Sequence, residues 1–309
     1  MIELDHVAKT YGTFAALKGI SFSVPTGSIC ALLGHNGAGK TTTVKILSTL
    51  VRPTSGTAIV AGHDVVREPG RVRENIGVTG QDAALDGSLT GRENLVLFCR
   101  LRGMRRQSAR TRADELIEQF ELAYAADRPV STYSGGMRRR IDIAVSLVVP
   151  PKVLFLDEPT TGLDPRSRRD VWNLVSSLKE QNTTVLLTTQ YLEEADVLSD
   201  SIVIVDSGRI IAEGTANDLK GGMGRTYCQM SPANPVDLDR IAEALSDFAN
   251  IEIDRDAGSV SVPAPEGAAT LSEVLNRMTA QGIELTDIGL RKPTLDEVFL
   301  HLTERERVQ

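Results

Sequence analysis

The sequence predicts an α/β protein built on a mainly parallel sheet, with a smaller α+β domain after it. Three observations carry this prediction. Short apolar strands alternate with amphipathic helices from Met1 to about Lys220; the run Gly221-Gly222-Met223-Gly224 interrupts the pattern; and the elements beyond it follow another order. A chain of 309 residues is long enough for two domains, each with its own core. The predicted division is 1–220, a linker at 221–224, and 225–309.

Taken in order, Ser28 to Leu33 (SICALL) reads as a buried strand running into a glycine-rich turn, followed by a helix from Thr42 to Leu50. Between about Asp82 and Pro150 the strand signal fades. Ala113, Leu116, Ile117, Phe120 and Leu122 recur at helical spacing, which predicts a helical insertion. The strand Val153 to Leu156 ends in two acids, and Thr184 to Leu187 ends in Thr188-Thr189-Gln190. Ile202 to Val205 turns at Ser207-Gly208 into a returning strand, Arg209 to Ala212. Polar residues thus collect at strand ends, where open α/β sheets bind ligands.

Past the glycines, the pattern predicts a strand near Thr226 to Met230 and a helix from Val236 to Phe248. A hairpin of Ile251 to Asp254 with Ser259 to Val262 follows, then a helix from Ala268 to Thr279, a strand from Glu284 to Leu290 and a last helix from Leu295 to Thr303. The order β-α-β-β-α-β is that of a ferredoxin-like domain. It carries no phosphate-loop, metal-ligand or nucleophile pattern.

Composition removes several classes of function. With 41 acidic against 34 basic side chains, the net charge of -7 provides no global field for a nucleic-acid backbone, so no nucleic-acid partner is expected. Cys30, Cys99 and Cys228 stand apart and are odd in number, against both a disulfide framework and a zinc cage. No signal peptide is evident, and no apolar run reaches the roughly 18 residues of a spanning helix. A membrane task would therefore need another chain for the membrane part.

The segment Gly34-His35-Asn36-Gly37-Ala38-Gly39-Lys40-Thr41 fits GxxxxGK[ST] between an apolar strand and a helix. Its glycines let backbone N–H groups converge on one anion, Lys40 reaches the β and γ phosphates, and the Thr41 hydroxyl suits Mg²⁺. His35 reads as a solvent-facing spacer. Asp157, at a second strand end, suits the Mg²⁺ shell, and Glu158 suits the orientation or deprotonation of a water; solvated strand-end acids are the plain alternative.

In their order these segments resemble the ATP-binding cassette of ABC transporters. Tyr11 in YGTFAALKGISFSV is similar to the aromatic loop that stacks adenine, although a sheet aromatic would look alike. Gln81 in GVTGQDAALD resembles the glutamine loop, and Tyr133-Ser134-Gly135-Gly136-Met137 the LSGGQ signature. Pro159 to Asp164 follows the second acid motif as the D-loop does, and Gln190 falls at the switch histidine. The resemblance implies a P-loop NTPase cassette with a parallel-sheet core, an antiparallel β subdomain and the helical insertion.

ATP and Mg²⁺ are the implied cofactors. The implied nucleotide set is Tyr11, Gly34, Asn36, Gly37, Ala38, Gly39, Lys40, Thr41, Thr42, Ser134, Gly135, Gly136 and Asp164. Thr41, Gln81 and Asp157 would surround the metal, with Glu158, Gln190 and Gln81 catalytic. The family also implies a head-to-tail homodimer in which each signature closes over the other phosphate loop, although Ser134 equally suits a helix N-cap. Arg138, Arg139 and Arg140 read as a solvated helix face.

TTQYLEEADVLSD and KPTLDEVFLHLT are similar to the daunorubicin/doxorubicin resistance ATP-binding group of drug and lipid exporters. This implies a multi-span membrane permease as partner, a place on the cytoplasmic face of the cell membrane, and efflux of a drug-like or lipid substrate. The alternative is a soluble cassette ATPase acting on ribosomes or DNA. One GKT, one SGGM and the short span from Thr41 to Ser134 speak against it, and Glu158 speaks against a non-hydrolysing module. Two departures stand out: Gln190 offers a neutral hydrogen bond in place of histidine, and Met137 replaces the signature glutamine.

Overall fold

The computed structural model describes residues 1–80, 85–180, 182–222 and 226–299. It divides into two compact units, Met1–Ala216 and Asn217–Gln309. The first unit begins with β1 (Ile2–Tyr11), β2 (Phe14–Val24), β3 (Ile29–Leu33), α1 (Lys40–Leu47), β4 (Ser55–Val60) and β5 (His63–Asp64). Then come α2 (Pro69–Asn75), β6 (Ile76–Thr79), α3 (Gly91–Leu101), α4 (Arg106–Gln119) and α5 (Gly135–Ser146). It closes with β7 (Val153–Asp157), α6 (Pro165–Glu180), β8 (Thr184–Thr189), α7 (Leu192–Leu198), β9 (Ser201–Asp206) and β10 (Arg209–Gly214).

Two sheets result. The order β2-β1-β4-β5 is antiparallel, while β10-β9-β3-β8-β7-β6 is parallel except for β10 at its edge. Every residue of β3, β7 and β8 is buried, which explains why they read as nearly unbroken apolar runs: helices cover both faces of a parallel sheet. In β1 only Ile2, Leu4 and Val7 turn inward, so its sequence alternates. The insertion is helical as expected, and α3 opens with a reciprocal cap between Thr90 and Glu93.

The strand order places the site. Because β8 lies between β3 and β7, their C-terminal ends sit side by side, with Leu33 opposite Thr189 and Asp157 opposite Thr188. Residues distant in sequence therefore converge at one rim of the sheet.

Helix α8 (Ala216–Gly222) leads to the second unit, which contains β11 (Tyr227–Pro232), α9 (Leu238–Ala244), β12 (Glu252–Asp254), β13 (Ser259–Pro263), α10 (Ala268–Ala280) and β14 (Leu285–Arg291). Its sheet order β12-β13-β11-β14, antiparallel throughout, is that of a ferredoxin-like domain. Cys228, Met230, Ile241, Val260, Val274 and Met278 share its core.

Two expectations change here. Gly221 and Gly222 end α8 instead of forming a linker, in keeping with glycine's frequency at helix C-termini; Met223 and Gly224 lie outside the described residues. The helix expected from Val236 is preceded by a 3-10 turn, Pro235–Asp237, capped by the Asn234 side chain. The last predicted helix is described only as far as residue 299.

Candidate nucleotide site

The loop after β3 is shaped by what cannot fit there. Gly39 precedes α1 at φ 114°, and a Cβ there would lie 2.7 Å from Leu17 Cδ2 and 2.9 Å from Ala16 O. At Gly34 a Cβ would sit 2.3 Å from Val205 O. Any side chain at either position would push the loop off the sheet. No side chain caps α1, which leaves its first N–H groups to an anion.

Lys40 bends back over this loop. Its Nζ donates to Gly34 O at 2.8 Å and His35 O at 3.2 Å and lies 3.3 Å from Glu158 Oε1, with side chains only 4% and 9% exposed. The buried ammonium is thus held by a carboxylate and two carbonyls. Glu158 reaches it from a left-handed backbone, φ 49°, a conformation that costs a non-glycine residue on the order of 1–3 kcal/mol. Thr161 Oγ1 donates to its other oxygen at 3.2 Å.

Thr188 joins the neighbouring strands. Its hydroxyl donates to Asp157 Oδ1 at 2.5 Å and accepts from Glu158 N at 3.0 Å, while Thr41 Oγ1 lies 3.3 Å from the same Asp157 oxygen. Asp157 and Thr41 therefore form an adjacent carboxylate and hydroxyl, the hard oxygen donors that suit Mg²⁺. Among the described residues no group of three or more His, Cys, Asp or Glu could hold a metal by itself. A cation at Asp157 and Thr41 would thus take further oxygens from phosphate or water.

A cavity of about 1150 Å³ extends from this rim, and its wall includes Asn36, Gly37, Thr42, Glu158, Gly135 and Arg138. Its aromatic wall is Phe14, 63% exposed, which the sequence reading did not single out. Tyr11 pairs with Phe14 across the β1–β2 hairpin, and its ring lies 4.9 Å from Lys9 Nζ. Ala38 is fully buried beside Gly34. Gln190 is half-buried at the bend after β8, on the same rim. Gln81 lies outside the described residues.

Ser134 caps α5, accepting from Met137 N at 3.3 Å, and Gly136 packs so close to α6 that a Cβ would meet Ser167 Oγ at 2.5 Å. Asp164 is bound within its own chain. Its carboxylate accepts from Arg166 N (3.1 Å), Ser167 N (3.0 Å) and Ser167 Oγ (2.7 Å), and the Ser167 bonds hold it below the usual carboxylate range. His35 is more than a spacer: its ring bonds Asp206 at the end of β9 and Asn36 O at 2.7 Å.

The three arginines do not form one solvated face. Arg138 is exposed, but the Arg139 and Arg140 side chains are only 11% and 15% exposed. At about 100° per residue the run covers roughly 200° of α5, and the same helix buries Gly136, Met137 and Ile141, so part of the run turns inward.

Glu194, on α7, was also unread. Its Oε1 accepts from Thr160 Oγ1 at 2.8 Å and Trp172 Nε1 at 3.0 Å, and burial pushes its carboxyl above the ordinary glutamate range, against hydrogen bonds from Thr189, Thr160 and Trp172. The folded state thus favours the protonated acid, so this group's contribution to stability is present at low pH and is lost as pH rises through the raised value. A Glu194→Gln protein, neutral at every pH, should gain in melting temperature relative to wild type as pH rises from mildly acid to neutral. Thermal unfolding of the two proteins across that range checks it; a constant difference would contradict it.

A glycine-rich phosphate cradle with a buried lysine, completed by an acid pair and a bridging threonine from adjacent strands, defines an ATP-binding cassette. Residues 17–161 match the family model described as ABC transporter, and residues 214–303 match that of the DrrA1-3-like ATP-binding protein C-terminal domain. The chain is 54% identical over 308 residues to the doxorubicin resistance ATP-binding protein DrrA of Mycobacterium tuberculosis, covering 98% of this chain and 93% of that relative. It is 47% identical to the daunorubicin/doxorubicin resistance ATP-binding protein DrrA of Streptomyces peucetius, covering 98% and 92%. The chain belongs to the ABC transporter ATP-binding proteins, in their DrrA-like drug-resistance group.

Solved cassettes agree. A dimeric ATP-binding cassette in a post-hydrolysis state with ADP and Pi superposes at a TM-score of 0.64 with 27% identity, covering 70% of this chain and 98% of that one. A cbiO1 cassette from Clostridium perfringens gives 0.66 with 26% identity, covering 72% and 91%. The protein is an ATP-hydrolysing transporter subunit.

Proposed function

We propose that this chain powers efflux of a drug-like or lipid substrate through a separate multi-span membrane permease, working as a head-to-tail homodimer on the cytoplasmic face of the membrane. The observation behind it is the convergence of Lys40, Thr41, Asp157, Glu158 and Thr188 at one rim, in a chain related over nearly its full length to doxorubicin and daunorubicin resistance proteins. Among the described residues no helix is long and apolar enough to cross a membrane, so the substrate path is assigned to the partner.

Each side chain then has a distinct task. The loop amides and Lys40 bind the phosphates, and Phe14 or Tyr11 faces the base. Asp157 and Thr41 would hold Mg²⁺, which supplies neutralisation of charge on the phosphate oxygens. Glu158 takes the proton of the attacking water, and Gln190 donates a neutral hydrogen bond to phosphate. Gln81 joins the metal shell. Ser134, Gly135 and Gly136 of one protomer meet the nucleotide of the other, Asp164 shaping that junction as the cap of α6.

The experiment is reconstitution in vesicles with a multi-span permease from the same genome. ATP-dependent movement of an amphipathic drug, lost in the Glu158→Gln chain, supports the reading; ATP hydrolysis without association or transport opposes it. A further expectation concerns Gln190, which cannot titrate. Gln190→His should add an ionisation near an unperturbed pKa of about 6.5 to the pH dependence of turnover. Identical profiles for the two proteins would remove Gln190 from the phosphate site.

A further inference from the structure

Arg139 lies on α5, the helix that the signature opens. Its guanidinium spends its donors on main-chain carbonyls: Nε on Pro159 O at 2.8 Å, Nη2 on Asp157 O at 3.0 Å and Nη1 on Gly80 O at 2.9 Å. Nη1 also meets Asp142 Oδ2 at 3.2 Å. Asp157 and Pro159 are the two neighbours of Glu158. Two of the bonds therefore grip the backbone on either side of the residue held at φ 49°. The third reaches the carbonyl just before Gln81.

A left-handed glutamate persists only where its surroundings over-determine it. The flat guanidinium fork can serve three carbonyls in fixed directions, whereas a lysine ammonium is a single point of charge on a flexible stem. Burying this cation costs desolvation, and a core helix needs only an apolar side chain at such a position. What the arginine adds is a rigid tie between α5 and the turn after β7.

We propose that Arg139 is a positioning residue, which clamps the turn carrying Glu158 to the signature helix so that the aim of the Glu158 carboxylate follows that helix. The proposal rests on the reading of Glu158 as the base. It predicts a split: the loop amides and Lys40 bind nucleotide without the clamp, but hydrolysis requires it.

Full-length Arg139→Lys, Glu158→Gln and wild-type proteins would be compared by ATP titration, steady-state kinetics, thermal unfolding and amide hydrogen exchange. For Arg139→Lys the expected result is ATP affinity within about twofold of wild type, kcat lower by about tenfold or more, and faster exchange at the amides of Glu158, Thr161 and Leu163 than in β3. Wild-type kcat and exchange overturn the clamp. So does a loss of kcat matched by equal losses in affinity and melting temperature, the mark of a merely structural residue. Should Arg139→Lys fail to fold, Asp142→Asn, which alters the carboxylate orienting Nη1, must lower kcat at retained affinity, and wild-type kcat there also overturns the proposal. Undiminished turnover in Glu158→Gln refutes the base, and exchange at the turn then decides the clamp alone.

Discussion

Glu158→Gln is expected to bind ATP at least as tightly as the wild type while its turnover falls by roughly 10²–10⁴-fold, the range a positioned general base supplies. The two effects have one origin. Glu158 Oε1 lies 3.3 Å from Lys40 Nζ, so on the proposed reading the carboxylate would compete with incoming phosphate for the same ammonium. Glutamine keeps the size and an acceptor oxygen but carries no charge and takes no proton. Competition weakens as the base disappears. Nucleotide titration, phosphate release and size-exclusion chromatography with ATP would show tight binding, no turnover and an accumulating dimer. Wild-type turnover would sink the assignment.

Lys40→Ala should act on binding itself. A hydrogen bond to a charged group contributes on the order of 1.5–3 kcal/mol, so ATP affinity should drop by roughly ten- to a hundredfold and hydrolysis should cease. Losing the ammonium also leaves Glu158, 9% exposed, facing the phosphates uncompensated, which adds repulsion to the lost attraction. The double variant Lys40→Ala with Glu158→Gln should therefore bind better than Lys40→Ala alone. Titrations of the three proteins measure this directly, and unchanged affinity in Lys40→Ala would mean that phosphate binds elsewhere.

What could be read from sequence was local. The phosphate loop and Asp157-Glu158 are contiguous strings after apolar strands, so motif and flank arrive together. Thr188 looked like the ordinary end of a strand, because its meaning depends on β8 lying between β3 and β7, a pairing that no local pattern states. The same holds for His35 with Asp206 and for Glu194 with Thr160, contacts made across long stretches of chain. Arg139 was hidden differently: a run of like charges suggests solvent, and only the packing of α5 shows that its middle member turns inward. Phe14 was passed over because Tyr11 occupied the familiar place in the string, while the hairpin puts the other aromatic on the cavity wall.

Trp172 is the only tryptophan in the chain, 7% exposed, and its indole N–H shares the Glu194 oxygen with the Thr160 hydroxyl. Emission from a sole indole depends on the polarity and hydrogen bonding around it, so the protein carries an optical probe wired to the segment beside Glu158. Changes at Thr160 on nucleotide binding, or on dimer closure, would register as a shift in tryptophan fluorescence without any label. Motions of the cassette thereby become accessible to a stopped-flow fluorimeter, on the unmodified chain and in a single turnover.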